Sequence, residues 1–561
     1  MEKRIFLAIL ISLGLLWGWA ALAPRLFPDL VKRPAATKPA PQTPATATNT
    51  TGAATGTTGT TTANVITTTD PAAPAISAAA PAASAARIAA ERVQLTVVET
   101  DEYKAVFSNR GAQLISFQLK HYLRKKQHQP EDLVKAREPN RTDYPFTIVP
   151  GDRALLGLNS ALYTVSDIVE ASGQRVLEYR YSDGRVTAKK TFRFPKQPYL
   201  FNFSVEVNPP SPYRIEIGPG IRTLAAEEQD TQVVTTGNGI YQAEGKLKIV
   251  AREKAPRLQI VPAVDYIGIE DNYFLTSLRP QRAGEGILQR VTFFNAKSKA
   301  RREDVYAGLN AANGLAAGEA FFGPKETNLL DRYGMGEALQ FGWFSLIARF
   351  FLTALIWLNQ FTHNYGFAII VLTILIKIVL YPLQHKSIVS MKKMQKVQPK
   401  VEAIKAKYKK SKTDADQRQK MNVEMMALYQ KEGINPMAGC LPLVLQLPIL
   451  WGFYNLLSRA IELRGAPFML WIHDLSDKDP TYVLPVLMTA TMFIQTYITP
   501  STGDPAQRKV FLIMPLVFGF LFKDFPSGLV LYWLVQNILT IVQQWIMNKW
   551  WKEHPAEIQK A

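Results

Sequence analysis

The sequence predicts a polytopic α-helical membrane protein with six transmembrane helices and a large antiparallel β-sandwich outside the membrane. Three observations lead to this fold class. Six apolar runs approach the roughly 20 residues that cross a bilayer core. Between the first two runs, apolar and polar residues alternate as in half-buried strands. A strongly basic segment between the second and third runs sets the orientation.

The N-terminus is predicted to be an uncleaved signal anchor, residues 1–27. Its apolar run, Ile5 to Ala23, is longer than the roughly 7 to 15 apolar residues of a cleaved signal peptide. Ala21-Leu22-Ala23 resembles a cleavage site, but Pro24 directly after it disfavours the peptidase. Residues 28–91 are rich in Pro, Ala, Thr and Gly, and this composition predicts a disordered tether.

Residues 92–325 are predicted to form the β-sandwich, which the orientation below places in the periplasm. Alternating runs begin at Val93, Tyr103 and Ala112, and two more flank Asp183-Gly184. An Asp-Gly step between alternating runs is a strong signal for a hairpin. Acidic residues near Gly218-Pro219-Gly220 are compatible with a sugar site, but no spacing rule links them, so a solvated loop is favoured and no catalytic residue is assigned.

Composition excludes several classes of site. The single cysteine, Cys440, rules out an intrachain disulfide, and the six histidines have no metal-ligand spacing. The chain has no Walker-type phosphate loop. We therefore expect no catalytic residue, no metal and no cofactor.

After the sandwich, the sequence divides into alternating apolar and polar segments. We predict a connecting segment with an amphipathic interfacial helix, 326–356, followed by transmembrane helices at 357–383, 439–459, 482–499, 510–525 and 526–548. The segments between them are a cytoplasmic helical hairpin, 384–438, a periplasmic loop, 460–481, and a cytoplasmic loop, 500–509, before a cytoplasmic tail, 549–561.

The charge of the hairpin decides the orientation. Residues 384–438 contain 13 Lys or Arg against 5 Asp or Glu, whereas 459–480 contain 3 against 4. Positive charge favours the cytoplasmic side. Both chain ends are then cytoplasmic, and the sandwich lies in the periplasm of a Gram-negative bacterium. The net charge of +19 is thereby explained by topology, so no direct nucleic-acid function is expected.

The hairpin itself is predicted to contain two amphipathic helices. Met394 and Met425 belong to apolar series with spacings of three and four on either side of a polar break, and Pro399 is expected to break or kink the first helix. The methionines fit either the hairpin core or an adaptable docking surface.

The most informative residue is Lys377, because it lies inside an apolar run where a charge costs about 2.5 to 3.5 kcal/mol. It lies eight residues before His385, roughly 12 Å along a helix, which is too far for snorkelling. The other spans contain no Asp or Glu in their cores. Neutral polar residues do occur, and they fit either a wet cavity or helix–helix hydrogen bonds: Thr373 one turn before Lys377 in the same span, and Gln446, Gln495 and Gln536 in the other spans.

Several strings of the C-terminal half resemble the YidC, Oxa and Alb family of membrane protein insertases. They are NPMAGCLPLVLQLPI, APFMLWIHDLSDKDP, FPSGLVLYWLVQN and YPLQHKSIVSMKKMQKVQPK. The order of anchor, periplasmic sandwich and five-helix core also resembles the Gram-negative form of the family. The resemblance implies a membrane insertase and assembly chaperone that is not an enzyme.

The resemblance also implies a mechanism and its residues. In the family, five core helices enclose a hydrophilic groove open to the cytoplasm and the lipid, and a positive residue, usually arginine, attracts the polar part of a client. Lys377 occupies that position here. Thr373, Gln446, Tyr532 and Trp533 match groove or substrate-contact positions, with Trp533 replacing a common tyrosine. We predict that the groove is wet and that Lys377 is charged.

The implied partners are nascent membrane proteins, membrane lipids, the Sec translocon, the ribosome and the signal recognition particle receptor. Four residues of the hairpin are candidates for cytoplasmic docking: Met394, Lys396, Met421 and Met425. Two alternatives stay open at this stage. One is a small-solute transporter with an anion site at Lys377, and the other is a membrane-anchored sugar-binding protein.

Overall fold

The computed structural model describes residues 86–124, 129–135, 143–223, 236–294, 301–311, 313–408, 414–434, 441–499 and 505–553. The predicted signal anchor, nearly all of the tether and the end of the C-terminal tail lie outside these residues. So does half of the predicted loop 500–509.

The region between the tether and the first long helix is built from strands. In chain order they are β1 (Leu95–Glu99), β2 (Tyr103–Ser108), β3 (Gln113–Leu123), β4 (Pro130–Asp132), β5 (Thr147–Pro150), β6 (Thr164–Val169), β7 (Arg175–Ser182), β8 (Thr187–Phe194), β9 (Leu200–Asn208), β10 (Tyr213–Ile217), β11 (Thr236–Ala243), β12 (Lys246–Val250), β13 (Gln259–Asp271), β14 (Phe274–Pro280), β15 (Gly284–Phe294), β16 (Arg301–Ala311) and β17 (Leu315–Pro324).

These strands form two antiparallel sheets. The smaller has the order β1-β2-β3-β4, and the larger, with 13 strands, has the order β5-β10-β16-β15-β13-β14-β17-β9-β8-β7-β6, with β11 paired to β13 and β12. Buried aromatic rings join the sheets. Phe107 on β2 lies 4.7 Å from Phe192 on β8, and Phe117 on β3 lies 6.2 Å from Phe201 on β9, between ring centroids. The predicted antiparallel β-sandwich is confirmed.

The turn at Asp183-Gly184 joins β7 to β8, as the sequence predicts. The Asp183 Oδ1 atom accepts hydrogen bonds from the backbone N–H groups of Arg185 and Val186, both at 2.8 Å. Gly184 has a φ of 94°, which a side chain would disfavour. The two strands are in register from Arg175↔Phe194 to Ser182↔Thr187.

The C-terminal half is helical. Its helices are α1 (Thr327–Arg332), α2 (Ser345–Thr362), α3 (Tyr365–Lys407), α4 (Ala415–Lys431), α5 (Leu441–Arg459), α6 (Val483–Ile498), α7 (Pro505–Phe522) and α8 (Ser527–Glu553). Among the described residues, the segments Gly342–Thr362, Tyr365–Lys407 and Ser527–Trp550 have the length and composition to cross a bilayer, and Val483–Ile498 and Val510–Phe522 are shorter apolar helices.

The predicted span 357–383 is divided by a break. Helix α2 continues to Thr362, His363 adopts a left-handed conformation with φ 50°, and α3 begins at Tyr365. Asn364 causes the new start because its side-chain oxygen accepts hydrogen bonds from the N–H groups of Gly366 and Phe367. Residues 357–362 were predicted to begin the span, but they lie in the same helix as residues 345–356 of the predicted interfacial segment.

A row of apolar side chains on and before α2 is exposed in the described part of the protein. Trp343 is 98% exposed and Leu346 is 85% exposed, and Phe350, Trp357 and Phe361 are also exposed. Phe351, Leu352 and Leu355 on the same helix are buried. This division into two faces fits a helix that contacts lipid along one side.

Helix α3 does not end at Pro399, where the sequence suggests a break or kink. It continues for 43 residues through Pro382 and Pro399, so one helix contains both the predicted span and the first arm of the hairpin. Proline removes one backbone donor, and the carbonyl left without it lies four residues earlier, at Gln395. Both Pro399 and Gln395 are exposed, so water can satisfy that carbonyl.

Candidate functional site

Lys377 lies on the face of α3 that packs against α8. Its side chain is buried, and its Nζ atom donates a hydrogen bond to Thr540 Oγ1 at 2.8 Å. The Thr540 hydroxyl in turn donates to the backbone carbonyl of Gln536 at 2.7 Å, which leaves its oxygen free to accept from the lysine. Within the described part of the chain, Lys377 makes no salt bridge.

Further polar side chains extend this contact from α8 to α5. The Gln536 amide donates to Gln446 Oε1 at 3.5 Å, and the Gln446 amide donates to Tyr532 Oη at 2.6 Å. Lys377, Thr540, Gln536, Gln446 and Tyr532 thus form a polar row that connects three helices. The helices themselves are largely apolar, so the polar row stands out among their side chains.

The spacing of polar residues in α8 explains why they lie on one side of this helix. Gln536, Thr540 and Gln543 are separated by four and three residues, so they lie on one face of the helix. Both amide atoms of Gln543 are buried and have no hydrogen-bond partner among the described residues. Because unsatisfied amides are costly in hydrocarbon, this face favours a hydrated interior.

The other predicted groove residues occupy different environments. Thr373 is fully buried, and its hydroxyl donates to Ile369 O of the same helix at 2.6 Å. Trp533 packs on the α7 side, with its ring 4.8 Å from that of Phe522. Gln495 lies on α6, and its Oε1 atom is buried without a hydrogen-bond partner among the described residues.

Tyr532 has a packing role in addition to its hydrogen bond. It is fully buried and its ring stacks on Phe453 of α5, with centroids 4.4 Å apart and planes 18° apart. The hydroxyl reaches Gln446 from this stacked position. Tyr532 therefore fixes the spacing of α5 and α8 rather than presenting an open surface.

The candidate docking residues divide between the core and the surface of the hairpin. Met394 is buried with Val397 and Val401, and Met425 of α4 packs against them. Lys396 is exposed and Met421 is half-buried. The positions of Met394 and Met425 favour the interpretation of these two residues as hairpin core.

Thr540 is the one member of the polar row that the sequence analysis did not single out. Threonine is common in apolar helices, where its hydroxyl can bond the carbonyl four residues earlier, so it attracts little attention alone. The sequence feature that could have identified it is its position. Thr540 lies one turn after Gln536 and one turn before Gln544, in the polar part of a predicted transmembrane helix.

Metal binding receives no support from the described residues, which contain no group of three or more His, Cys, Asp or Glu with suitable geometry.

Comparison with known proteins gives matches along most of the chain. The family model of the YidC periplasmic domain matches residues 95–354, and that of the 60Kd inner membrane protein matches residues 357–554. The membrane protein insertase YidC of Citrifermentans bemidjiense is 36% identical in an alignment 569 positions long, gaps included, that covers 98% of this chain and 99% of the relative. That of Geotalea daltonii is 36% identical over 480 residues, covering 81% and 86%.

Among solved structures, a crystal structure described as active YidC insertase with the first transmembrane domain resolved is similar at a TM-score of 0.36 and 20% identity. The similarity covers 83% of this chain and 95% of that one.

Proposed function

Since this chain belongs to the YidC family of membrane protein insertases, we propose that it inserts small membrane proteins through a hydrophilic groove that contains Lys377 and opens to the cytoplasm. It is an inner membrane protein with a periplasmic β-sandwich, and its clients are nascent membrane proteins. Its relatives are named as insertases, which are not enzymes.

One observation carries the proposal. Lys377 is a buried lysine whose hydrogen-bond partner is a neutral hydroxyl, Thr540 Oγ1. A carboxylate at about 4 Å from the ammonium would gain on the order of 4 kcal/mol at an effective dielectric of 20, and about 1 kcal/mol in bulk water. The acidic or polar part of a client can therefore displace the threonine. The attraction remains weak enough for the client to leave.

The apolar part of the client supplies the driving force. Burial of an apolar span yields about 25 cal/mol per Å² removed from water. The client would move into lipid along α5 and α8, the helices that contribute Gln446, Gln536 and Tyr532 to the polar row. Nucleotide hydrolysis by this chain plays no part in this scheme.

The remaining features follow from charge and from the family. The basic hairpin of α3 and α4 faces the cytoplasm with both chain ends, and its exposed Lys396 lies where an arriving client would meet the protein. The exposed face of α2 lies against the periplasmic leaflet. The protein acts alone or beside the Sec translocon, and the ribosome and the signal recognition particle receptor contact the hairpin.

The test is depletion of the chromosomal copy and complementation with variants of Lys377. We expect Lys377→Arg to support growth and client insertion, because it keeps the positive charge. Lys377→Glu repels the acidic segment of a client, so client insertion should fall by about tenfold or more, which corresponds to roughly 1.4 kcal/mol. Protease protection of a radiolabelled one-span client measures insertion.

Lys196→Glu is the matched control, because it reverses the charge of an exposed lysine in the sandwich, away from both the proposed groove and the hairpin. It should insert clients like the wild type. If Lys377→Glu inserts every tested client at the wild-type rate, the groove proposal is wrong.

A further inference from the structure

Strand β1 forms one edge of the smaller sheet and exposes apolar side chains there. It is the first strand in the order β1-β2-β3-β4, and among the described residues it pairs only with β2. Thr96 and Val98 are buried on its inner face. On its outer face, Leu95 is 55% exposed and Val97 is 39% exposed, and Val93 just before the strand is also exposed. Unpaired backbone groups beside an apolar surface favour the addition of another strand.

The other terminal strands of the two sheets are better protected against such pairing. Each contains a proline or a charged residue: Pro130 in β4, Pro150 in β5, Asp167 in β6 and Lys248 in β12. The only charged residue of β1 is Glu99, at its last position, and it lies 2.8 Å from Lys120 of β3. The edge of β1 is therefore the one best suited to an apolar partner strand.

The direction of β1 relates this edge to the helical bundle. β1 and β3 are both antiparallel to β2, so they run in the same direction. β3 ends at Leu123, whose carbonyl accepts a hydrogen bond at 3.3 Å from Arg464 of the loop between α5 and α6. Glu99, the last residue of β1, thus lies toward the end of the sheet that faces the bundle, and Val93 lies toward the opposite end.

The chain that precedes the sandwich contains one segment whose sequence suits this edge. Residues 1–85 lie outside the described residues. Between residues 33 and 85, the longest stretch without Pro or Gly is 60–70, TTTANVITTTD, which contains Val65 and Ile66 beside six threonines. These β-branched residues favour strands. The only other large apolar residue between residues 33 and 85 is Ile76.

The path of the chain brings this segment to β1 in a defined direction. Backbone hydrogen bonds join Ile88 N to Ser182 O at 2.9 Å and Ser182 N to Ile88 O at 2.8 Å, seven residues before β1 begins. The predicted anchor places residue 28 at the membrane, so the chain must run from the bundle end of the sandwich toward the end at which β1 begins. A segment that follows the free edge in this direction is antiparallel to β1.

The covalent link also favours this segment over a separate partner. Eighteen residues, 70–87, connect the segment to Ile88, which is enough to turn back to the start of β1. A segment on a flexible link of this length has an effective concentration on the order of millimolar at its site. A weak strand pairing can therefore form within one chain.

We propose that residues 64–69 add to the smaller sheet as an antiparallel strand on the free edge of β1. Because neighbouring residues of a strand point to opposite faces, one of Val65 and Ile66 covers the exposed face of Leu95 and Val97, and the other extends the buried face of Thr96 and Val98. This interaction surface is independent of the proposed insertion mechanism.

The added strand shortens the link between the predicted anchor and the sandwich. The free chain falls from 60 residues, 28–87, to 36 residues, 28–63. At about 3.3 to 3.6 Å per extended residue, the maximal reach of the link falls by roughly 80 Å. The contact thereby limits how far the sandwich can lie from the anchor.

A cysteine scan of the full-length protein in membranes tests the pairing, in a Cys440→Ser background. Val97→Cys is combined with a single cysteine at each position from Asn64 to Thr69 in turn, and the yield of intrachain disulfide under mild oxidation is measured. The yield should alternate with a period of two residues, and adjacent positions should differ by about fivefold or more, because only every second side chain shares a face with Val97. A yield that changes smoothly along the segment would overturn the proposal.

Hydrogen exchange tests the same contact without engineered cysteines. Val65→Asp/Ile66→Asp places two charges against the apolar edge, so the β1 amides that do not bond β2 should exchange about tenfold faster than in the wild type. Ile76→Asp is the matched control, because it introduces the same charge into the tether outside the segment, and it should exchange like the wild type. Equal exchange in all three proteins would contradict the added strand.

Other occupants of the edge would give different results, and each of these would also overturn the proposal. A disulfide between two Val97→Cys chains that contain no second engineered cysteine would indicate a second copy of this protein. Protection of β1 that persists in Val65→Asp/Ile66→Asp and disappears on purification would indicate a separate periplasmic partner. Client insertion enters none of these measurements, so they stand or fall independently of the variants of Lys377.

Discussion

The sandwich and the helical bundle both bury lysine or arginine side chains, but the partners of these side chains differ. In the sandwich, buried Arg222 contacts Glu131 and Asp271, and buried Lys325 contacts Glu270 at 2.8 Å. In the bundle, Lys377 contacts the hydroxyl of Thr540. A basic side chain that forms salt bridges stabilises the fold. A basic side chain that is bonded only to a neutral hydroxyl can still attract an acidic group from another molecule.

Lys190 sharpens this comparison because it belongs to the sandwich but resembles Lys377. It is fully buried on β8, and its ammonium donates to the carbonyls of Gly111 and Phe146, both at 2.7 Å. Burial lowers the pKa of Lys190 to about 7. It is enclosed by the aromatic core of the sandwich, with Tyr163 beside its ammonium, whereas Lys377 lies between two helices of the bundle.

The largest effect is expected from breaking the pairing in the sandwich. Arg222→Met leaves Glu131 and Asp271 buried without their shared arginine, so the free energy of unfolding should fall by about 3 to 5 kcal/mol. Thermal unfolding of the full-length protein in detergent micelles measures this. Arg180→Met is the control, because the Arg180 side chain is 59% exposed on β7. Equal melting temperatures for the two variants would contradict the structural role of the buried ion pairs of Arg222.

The second prediction separates stability from function in the bundle. Lys377→Met removes a buried amino group that makes no salt bridge within the described residues, so the free energy of unfolding should rise, by up to about 3 kcal/mol. Insertion should fall despite the gain in stability. Lys196→Met, at an exposed site of the sandwich, should change neither quantity. A loss of stability in Lys377→Met would mean that the lysine is a structural residue.

The third prediction uses pH to test Lys190. Its folded-state pKa of about 7 is below the ordinary lysine value of 10.5, so the unfolded chain binds more protons between these values. Stability of the sandwich should therefore increase as pH rises from 7 toward 10, by at most about 1.4 kcal/mol per pH unit. Hydrogen exchange of β8 amides, corrected for the intrinsic pH dependence, reports this slope.

Lys190→Met should remove that contribution to the slope, and Lys189→Met should retain it, because Lys189 is the adjacent residue but is 39% exposed. A slope that is the same in all three proteins would show that Lys190 does not titrate in this range.

The smallest effect is expected at Thr540. Thr540→Val keeps the shape but removes the acceptor for Lys377, and a hydrogen bond between membrane helices contributes on average about 0.6 kcal/mol. Unfolding in micelles should detect a loss of that order. Thr496→Val is the control, since its hydroxyl bonds only Met492 O of its own helix among the described residues. A loss of several kcal/mol would place Thr540 among the structural contacts and weaken the contrast with the sandwich.

The local features of both regions were accessible from sequence. Alternation predicted the strands of the sandwich, and Asp183-Gly184 predicted the β7–β8 turn, because a two-residue period and turn chemistry act over a few residues. The polar residues of the bundle stood out against apolar runs. The break at His363 was missed because hydropathy alone does not detect an Asn364 cap, and Pro399 failed to end its helix because its lost bond lies on an exposed face.

Contacts between distant segments were not accessible in the same way. Arg464 and Glu131 are 333 residues apart, and neither has a neighbouring pattern that points to the other. Arg464 lies in a loop that the sequence analysis used only for its net charge, so nothing in the sequence indicated a contact for this one side chain. Thr540 became meaningful only once α3 and α8 were known to be neighbours.

A buried salt bridge joins the two halves of this protein, with Arg464 Nη2 of the loop after α5 lying 2.9 Å from Glu131 Oε2 of β4. A chimera with a sandwich that lacks an acid at the position of Glu131 would enclose the Arg464 guanidinium without its carboxylate. The reverse chimera would bury Glu131 with one arginine fewer. An engineered fusion that transfers Glu131 and Arg464 as a pair avoids both of these mismatches.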